Sequence, residues 1–182
     1  IFYSHRTSLN KVWEIETTEL IKVVSLDFLY SLNFKSKSIV CRQVSNGNLI
    51  WEQRELLGKP NLLLLSDGIL LAQSRQGLTA LLAISGQKIW NNSFENIFKY
   101  SFPSESHDEI SMGPLIDDIQ YLSFKRQGAH EIGACIMAIS VKEGNLVWEK
   151  KLKQYVKPMT MIYHEGRLYF DRNQGWGTEN CL

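Results

Sequence analysis

The side chains of this sequence that could do chemistry are few and widely spaced. Histidines and cysteines are common nucleophiles and metal ligands, yet none here shows a ligand spacing such as Cys-x-x-Cys. They are His5, His107, His130, His164, Cys41, Cys135 and Cys181. Cys41 and Cys135 lie in apolar strand patterns, so we expect buried free thiols; one disulfide bond stays an open alternative. The sequence predicts neither a metal site nor a catalytic cysteine.

The densest group of titratable side chains is His107-Asp108-Glu109, in a stretch that reads as a loop. Loops on a rigid scaffold often carry function, so we take these residues as a candidate partner-binding loop. The adjacent carboxylates Asp117-Asp118 fall where a hairpin turn is due, and Asp is a preferred turn residue. No Gly-x-Ser-x-Gly elbow, phosphate-binding glycine loop, dinucleotide fingerprint or calcium loop is present. We find no catalytic constellation.

Composition bounds the partners that the chain can bind. Of 182 residues, 44% are hydrophobic, and 20 basic against 19 acidic side chains give a net charge of +1. Nucleic-acid binding depends on neutralising phosphates, so this balance does not favour DNA or RNA as a partner. No apolar run reaches the ~20 residues that a membrane helix needs. We therefore expect neither nucleic-acid binding nor a direct membrane span.

The strands that would position a functional site occur in units that are repeated along the chain. Trp13, Trp51, Trp90 and Trp148 are separated by 38, 39 and 58 residues. A period of about 40 residues is typical of β-propeller blades, each a sheet of four antiparallel strands. The longest interval fits this period if it carries an insertion of about 20 residues, which we place within residues 100–133.

The third unit shows the strand pattern of one blade. It predicts four strands in meander order: Asn61 to Leu65, Ile69 to Gln73, Leu78 to Ile84 and Gln87 to Ser93. Asp67-Gly68 favours a tight hairpin between the first two. In the fourth unit we expect a strand to end at Phe124, followed by a polar loop over Lys125 to Gly133. Helical periodicity is nearly absent.

The sequence therefore predicts an all-β fold, a β-propeller of four-stranded antiparallel blades. We expect about four to five blades in an incomplete ring and a single propeller domain, or part of one, over residues 1–182. From the repeat spacing we expect the chain to start late in one blade and to stop in the middle of another. An open arc would expose apolar blade faces, so we expect further blades from a longer chain or a second copy.

Tryptophan and glycine recur at fixed places in each unit. The sequence pattern of residues Ala80 to Trp90 is repeated at Cys41 to Trp51, at Ala138 to Trp148 and, more weakly, at Tyr3 to Trp13. An indole there can bury its body between neighbouring blades while its N–H finds a carbonyl. The glycines before the tryptophan, which are Gly47, Gly86 and Gly144, allow a turn and a close backbone approach.

The pattern Ala-Leu-x-Ala-x-Ser-Gly-x-x-x-Trp at residues 80–90 resembles the repeat of quinoprotein-type, pyrroloquinoline-quinone-like propellers. The resemblance covers essentially the whole chain. It implies that each tryptophan stacks on the peptide around the glycine of a neighbouring blade, a role that Trp13, Trp51, Trp90 and Trp148 would take. This chain departs from the family at the third repeat position, usually Asp or Asn, and at Leu9, where the first repeat should have glycine.

The resemblance specifies a fold and leaves two functions open. Non-enzymatic relatives include outer-membrane-assembly lipoproteins and lumenal stress-sensor domains, which implies a periplasmic, secreted or lumenal location. We favour a scaffold without a cofactor that binds a protein or peptide partner through rim loops. The alternative is a quinoprotein dehydrogenase-like enzyme whose cofactor site lies in blades not present here. The resemblance would then imply adjacent cysteines, which this sequence lacks.

Overall fold

The computed structural model describes residues 13–14, 18–94, 96, 110–127, 132–152 and 156–172. Within these ranges the backbone forms fourteen β-strands. They are β1 Glu19–Val24, β2 Phe28–Asn33, β3 Ser38–Gln43, β4 Leu49–Gln53, β5 Pro60–Ser66, β6 Ile69–Ser74, β7 Gly77–Leu82, β8 Lys88–Ser93, β9 Ser111–Ile116, β10 Ile119–Gln127, β11 Ile132–Ser140, β12 Leu146–Leu152, β13 Val156–His164 and β14 Arg167–Arg172.

The strands form antiparallel meanders in chain order. Strands β1–β4, β5–β8 and β9–β12 each make a four-stranded sheet, which we call blades 1, 2 and 3, and β13 pairs with β14 in a two-stranded sheet. The turn at Asp67-Gly68 has positive φ at both residues, 46° and 77°, as a two-residue type I′ hairpin requires. The hairpin signals in the sequence therefore mark the places where the chain reverses.

Blade 2 is apolar on both faces, and strand alternation sends neighbouring residues to different partners. Leu70 and Ala72 pack with core residues of blade 1, whereas Ile69 and Leu71 pack with core residues of blade 3. A third cluster joins Ile136 of blade 3 to Leu168 of β14. Because every sheet shields an apolar face of the next one, the core is a series of layers between blades. This confirms the predicted fold class, an all-β incomplete propeller.

One strand boundary from the sequence is wrong. The polar stretch predicted as a loop from Lys125 to Gly133 contains strand at both ends, because β10 runs to Gln127 and β11 begins at Ile132. Backbone pairing of Lys125 with Ala134 and of Gln127 with Ile132 continues the ladder. Side-chain polarity is a weak guide where two strands already run in register, since the ladder is made by main-chain groups.

Candidate functional site

The contact that repeats between blades is built from a tryptophan and a glycine. Trp51 in β4 donates its indole N–H to the carbonyl of Ala83 in the next blade, at 3.0 Å. Gly86, three residues further on, has φ = +70°, and a Cβ atom built there would lie 2.6 Å from ring atoms Cδ2 and Cε3 of Trp51. The indole therefore lies directly against the backbone of Gly86, where no other side chain would fit.

The same geometry occurs at two more places. Trp13 donates to the carbonyl of Val44 at 2.7 Å, and a Cβ on Gly47 would lie 2.7 Å from its ring. Trp90 donates to the carbonyl of Val141 at 2.8 Å, and a Cβ on Gly144 would lie 2.5 Å from its ring. Each of these tryptophans thus pairs with the glycine of the unit that follows it in the sequence.

A second hydrogen bond completes two of these contacts and was missed in the sequence. Gln53 Nε2 donates to the carbonyl of Gly86 at 3.1 Å, and Asn92 Nδ2 donates to the carbonyl of Gly144 at 2.8 Å. Both amides stand two residues after the tryptophan, so they project from the same face of the strand. The sequence pattern that could have predicted these hydrogen bonds is a Trp-x-Gln or Trp-x-Asn triplet after the turn.

The carbonyl of Gly47 is bound from within its own blade. Position 15, two residues after Trp13, is isoleucine, whose side chain has no donor. Arg42 Nη1 instead donates to the Gly47 carbonyl at 3.1 Å, while its Nη2 pairs with Glu19 Oε1 at 2.6 Å. Hydrogen bonds from this guanidinium lower the pKa of Glu19.

Trp148 has a different environment. It packs with residues of β13 and β14, including Met161 and Leu168, and its ring centroid lies 5.9 Å from that of Tyr121. Among the described glycines outside β11, none has the Trp148 ring at its Cβ position. The structure therefore brings three of the four predicted tryptophans onto predicted glycines and places the fourth in an aromatic cluster.

The adjacent carboxylates Asp117 and Asp118 lie in the β9–β10 turn and stabilise it. Asp118 accepts hydrogen bonds from the Ser140 hydroxyl at 2.8 Å and from the Lys142 backbone N–H at 2.9 Å. Asp117 has φ = 52°, in the left-handed region that Asp tolerates better than most residues. Asp118 therefore links the β9–β10 turn to the β11–β12 turn, and both carboxylates lie in a hairpin turn, as the sequence predicts.

The cysteines of the described residues are buried within the blades. Cys41 and Cys135 are 0% and 2% exposed, and neither forms a disulfide bond. Burial raises the pKa of the Cys41 thiol to about 11, so the reactive thiolate is scarce at neutral pH. Cys181 lies outside the described residues.

The candidate loop His107-Asp108-Glu109 lies outside the described residues, as do His5 and His130. His164 is exposed in the β13–β14 turn, with Nε2 3.7 Å from Glu165 Oε1. No group of three or more potential metal ligands occurs in the ranges that the structure describes. In the same ranges, no helix combines the length and the apolarity needed to cross a bilayer.

Comparison with solved structures finds propellers among the similar folds. The computationally designed Ika4 protein superposes with a TM-score of 0.61 at 11% identity, covering 92% of this chain and 95% of that one. A europium-containing methanol dehydrogenase gives 0.50 at 12% identity, over 78% of this chain and 27% of the enzyme. BamB from Moraxella catarrhalis gives 0.37 at 11% identity, over 84% and 55%. At 11% and 12% identity, the first two of these likenesses show the fold alone.

Comparison of sequences adds the family. No curated protein matches the chain. The profile of one protein family, described as outer membrane protein assembly factor BamB, matches residues 44–176, well over half of the chain. That stretch contains Trp51, Trp90 and Trp148 and the whole repeats at residues 80–90 and 138–148, on which the resemblance to quinoprotein-type propellers rests, and the resemblance is confirmed. The chain belongs to the BamB family of quinoprotein-like β-propellers.

Proposed function

We propose that this protein is a non-enzymatic propeller scaffold that binds a protein or peptide partner through the turns and loops at its rims. The proposal rests on one observation: several of the described side chains that could do chemistry are buried in the blades or bonded within them. Cys41 is buried, Asp118 holds two turns together, and Glu19 is paired with Arg42. These groups maintain the blades, whereas the turns between strands carry exposed side chains of varied chemistry.

The exposed turns form the surface that a partner would contact. In the turns at one end of the strands, Asp27, Ile84 and Lys142 are exposed. These turns are fixed to a rigid stack of sheets, and such loops can change in sequence without cost to the core. We extend the proposal to the loop His107-Asp108-Glu109 as a further binding element.

A two-stage experiment tests this function. The full chain is cross-linked in extracts from its own organism, and an enriched protein is then purified and titrated against the chain by calorimetry. The variant replaces Ser104 to Glu109 with a Gly/Ser segment of equal length, and Lys88→Ala is the control. We expect the loop variant to weaken binding at least about tenfold; equal affinity for all three proteins would remove this loop from the proposal.

The scaffold proposal itself has a separate readout. If no purified protein binds the chain, or if the chain oxidises alcohols with a dye acceptor after addition of pyrroloquinoline quinone and calcium, the scaffold function is wrong. A quinone-dependent activity would need a cofactor site made by further blades, because the described residues carry no constellation for it.

A further inference from the structure

The turn between β2 and β3 carries two exposed lysines in a fixed conformation. Asn33 Oδ1 accepts hydrogen bonds from the backbone N–H groups of Lys35, at 3.0 Å, and Ser36, at 3.1 Å. Lys37 has φ = 56°, a left-handed conformation that is uncommon for lysine. The turn is therefore held by its own side chain, and Lys35 and Lys37 both extend into solvent.

An exposed aromatic ring adjoins this turn. Phe34 is 46% exposed, although its backbone N–H is fixed by the carbonyl of Thr18 at 3.0 Å. Lys59, from the connection between β4 and β5, places its Nζ atom 5.0 Å from the centroid of the Phe34 ring. This cation–π contact gathers a third ammonium group beside the turn. We call Phe34, Lys35, Lys37 and Lys59 the lysine patch.

Neighbouring charges leave the lysine patch positive. None of its three lysines has an ion-pair partner among the described residues. The described carboxylates of β4 and of the connection after it already have partners. Glu52 accepts a hydrogen bond from Ser38 at 2.6 Å and pairs with Arg54 at 2.8 Å, and Glu55 Oε2 lies 3.7 Å from Lys88 Nζ. The β6–β7 turn adjoins the patch, because the side chain of Gln76 lies close to Gly58, the residue before Lys59.

At the opposite ends of the strands, one set of turns is acidic. The turns that join the first strand of each sheet to the second have exposed acidic residues, which are Asp27, Asp67, Asp117 and Glu165. In the described turns, Lys35 and Lys37 therefore lie at one end of the strands, and these four acidic residues lie at the other. Such a separation attracts an anionic partner to one end, repels it from the other and so fixes its orientation.

We propose that the lysine patch binds an acidic peptide segment that carries an aromatic or aliphatic side chain next to its carboxylates. The carboxylates would pair with Lys35, Lys37 and Lys59, and the apolar side chain would cover the exposed part of Phe34. This inference rests on the proposed scaffold function and adds the chemistry of the partner and the place where it binds.

The observations favour a peptide over other polyanions. A single-stranded nucleic acid would stack a base on the aromatic ring, but the Lys59 ammonium already lies over the Phe34 ring. An anionic membrane would call for several apolar side chains that insert together, and Phe34 is the exposed aromatic residue of the patch. The carboxylates of a short flexible peptide can reach three lysines on separate loops. Such a peptide needs neither an open ring face for stacking a base nor several apolar side chains for insertion into a membrane.

Fluorescence anisotropy of the full chain tests the proposal. The probe is a fluorescein-labelled peptide of alternating Asp and Phe or Leu, and its counterpart has Asn in place of Asp. The variant combines Lys35→Glu, Lys37→Glu and Lys59→Glu. A control of equal net charge combines Lys22→Glu, Lys151→Glu and Arg167→Glu, which replace exposed cations elsewhere. Circular dichroism establishes that both variants fold.

We expect the patch variant to bind the acidic peptide at least about tenfold more weakly, while the control changes affinity less than about threefold. Phe34→Ala should weaken binding about threefold, and added salt should weaken it further. The proposal is overturned if wild type does not bind the peptide, if both triple variants bind alike, or if oligodeoxythymidine or phosphatidylserine vesicles bind the patch more tightly. A purified native partner that still binds in those cases would leave the scaffold function standing.

Discussion

The side-chain amide of Gln53 lies 3.1 Å from the carbonyl of Gly86, the same glycine whose backbone packs against the indole of Trp51. Two side chains of one strand, two residues apart, thus contact one turn of the neighbouring blade. The indole occupies the space that a Cβ would need, and the amide binds the carbonyl that the turn leaves exposed. Blade contacts are therefore polar and directional as well as apolar, which fixes the register of one sheet on the next.

Gly86→Ala should destabilise the fold far more than the same change at Gly68. Both glycines have positive φ, +70° and +77°, but a Cβ at Gly86 would meet the Trp51 ring at 2.6 Å, whereas a Cβ at Gly68 meets nothing within 4 Å. We expect a cost of about 1–2 kcal/mol for conformation alone at Gly68, and a further 1–3 kcal/mol for overpacking at Gly86. Urea unfolding of both variants measures the difference, and equal losses would contradict a docking role for Gly86.

Asn92→Ala should weaken the join between blades 2 and 3. The substitution removes the 2.8 Å hydrogen bond to the carbonyl of Gly144 and leaves a partly buried acceptor without its donor, at a cost of about 1–2 kcal/mol. Asn91→Ala is the matched control, because Asn91 is exposed on the other side of the same strand. The free energy of unfolding from urea titration is the measurement; a control that loses as much as Asn92→Ala would refute the role of this amide.

The repeat made the fold predictable, while single contacts were harder to foresee. Tryptophan spacing and the recurring glycine before each tryptophan located the blades, because a docking indole meets a turn glycine at three successive contacts between units. Gln53 and Asn92 escaped notice since an amide after a tryptophan has many other uses. The lengths of β10 and β11 near Lys125 and Ile132 were underestimated, because the hydrogen bonds between these strands are made by main-chain groups. The loop at His107 is too distant from any repeat for its neighbours to be inferred.

Acid should destabilise blade 1 through two paired carboxylates. Hydrogen bonds from Arg54 and Ser38 lower the pKa of Glu52 to about 2, and those from Arg42 lower the pKa of Glu19. A carboxyl group with a lowered pKa binds fewer protons when folded than when unfolded, so its contribution is complete above the unfolded value and disappears as pH falls toward the folded one. Stability should therefore decrease from about pH 5 down to about pH 2.

Glu52→Gln separates this effect from general acid denaturation. Glutamine keeps an acceptor for Ser38 but does not titrate, so the variant should be less stable than wild type at neutral pH and show a flatter loss of stability on acidification. Thermal unfolding across this pH range measures both slopes. Parallel curves for the two proteins would show that Glu52 has the same pKa in the folded and unfolded states, contrary to its contacts.

Cys41 should resist alkylation as long as blades 1 and 2 stay packed. The thiol is 0% exposed between Tyr30 of its own sheet and the residues of blade 2, and its pKa is raised to about 11 by burial. Since the thiolate is the reacting species, iodoacetamide at pH 8 should modify Cys41 only through opening of the blade contact. Peptide mass spectrometry after timed labelling gives the rate. Trp51→Ala, which removes the indole packed against this cluster, should raise the labelling rate at least about tenfold, and an unchanged rate would show that the indole does not hold the two blades together.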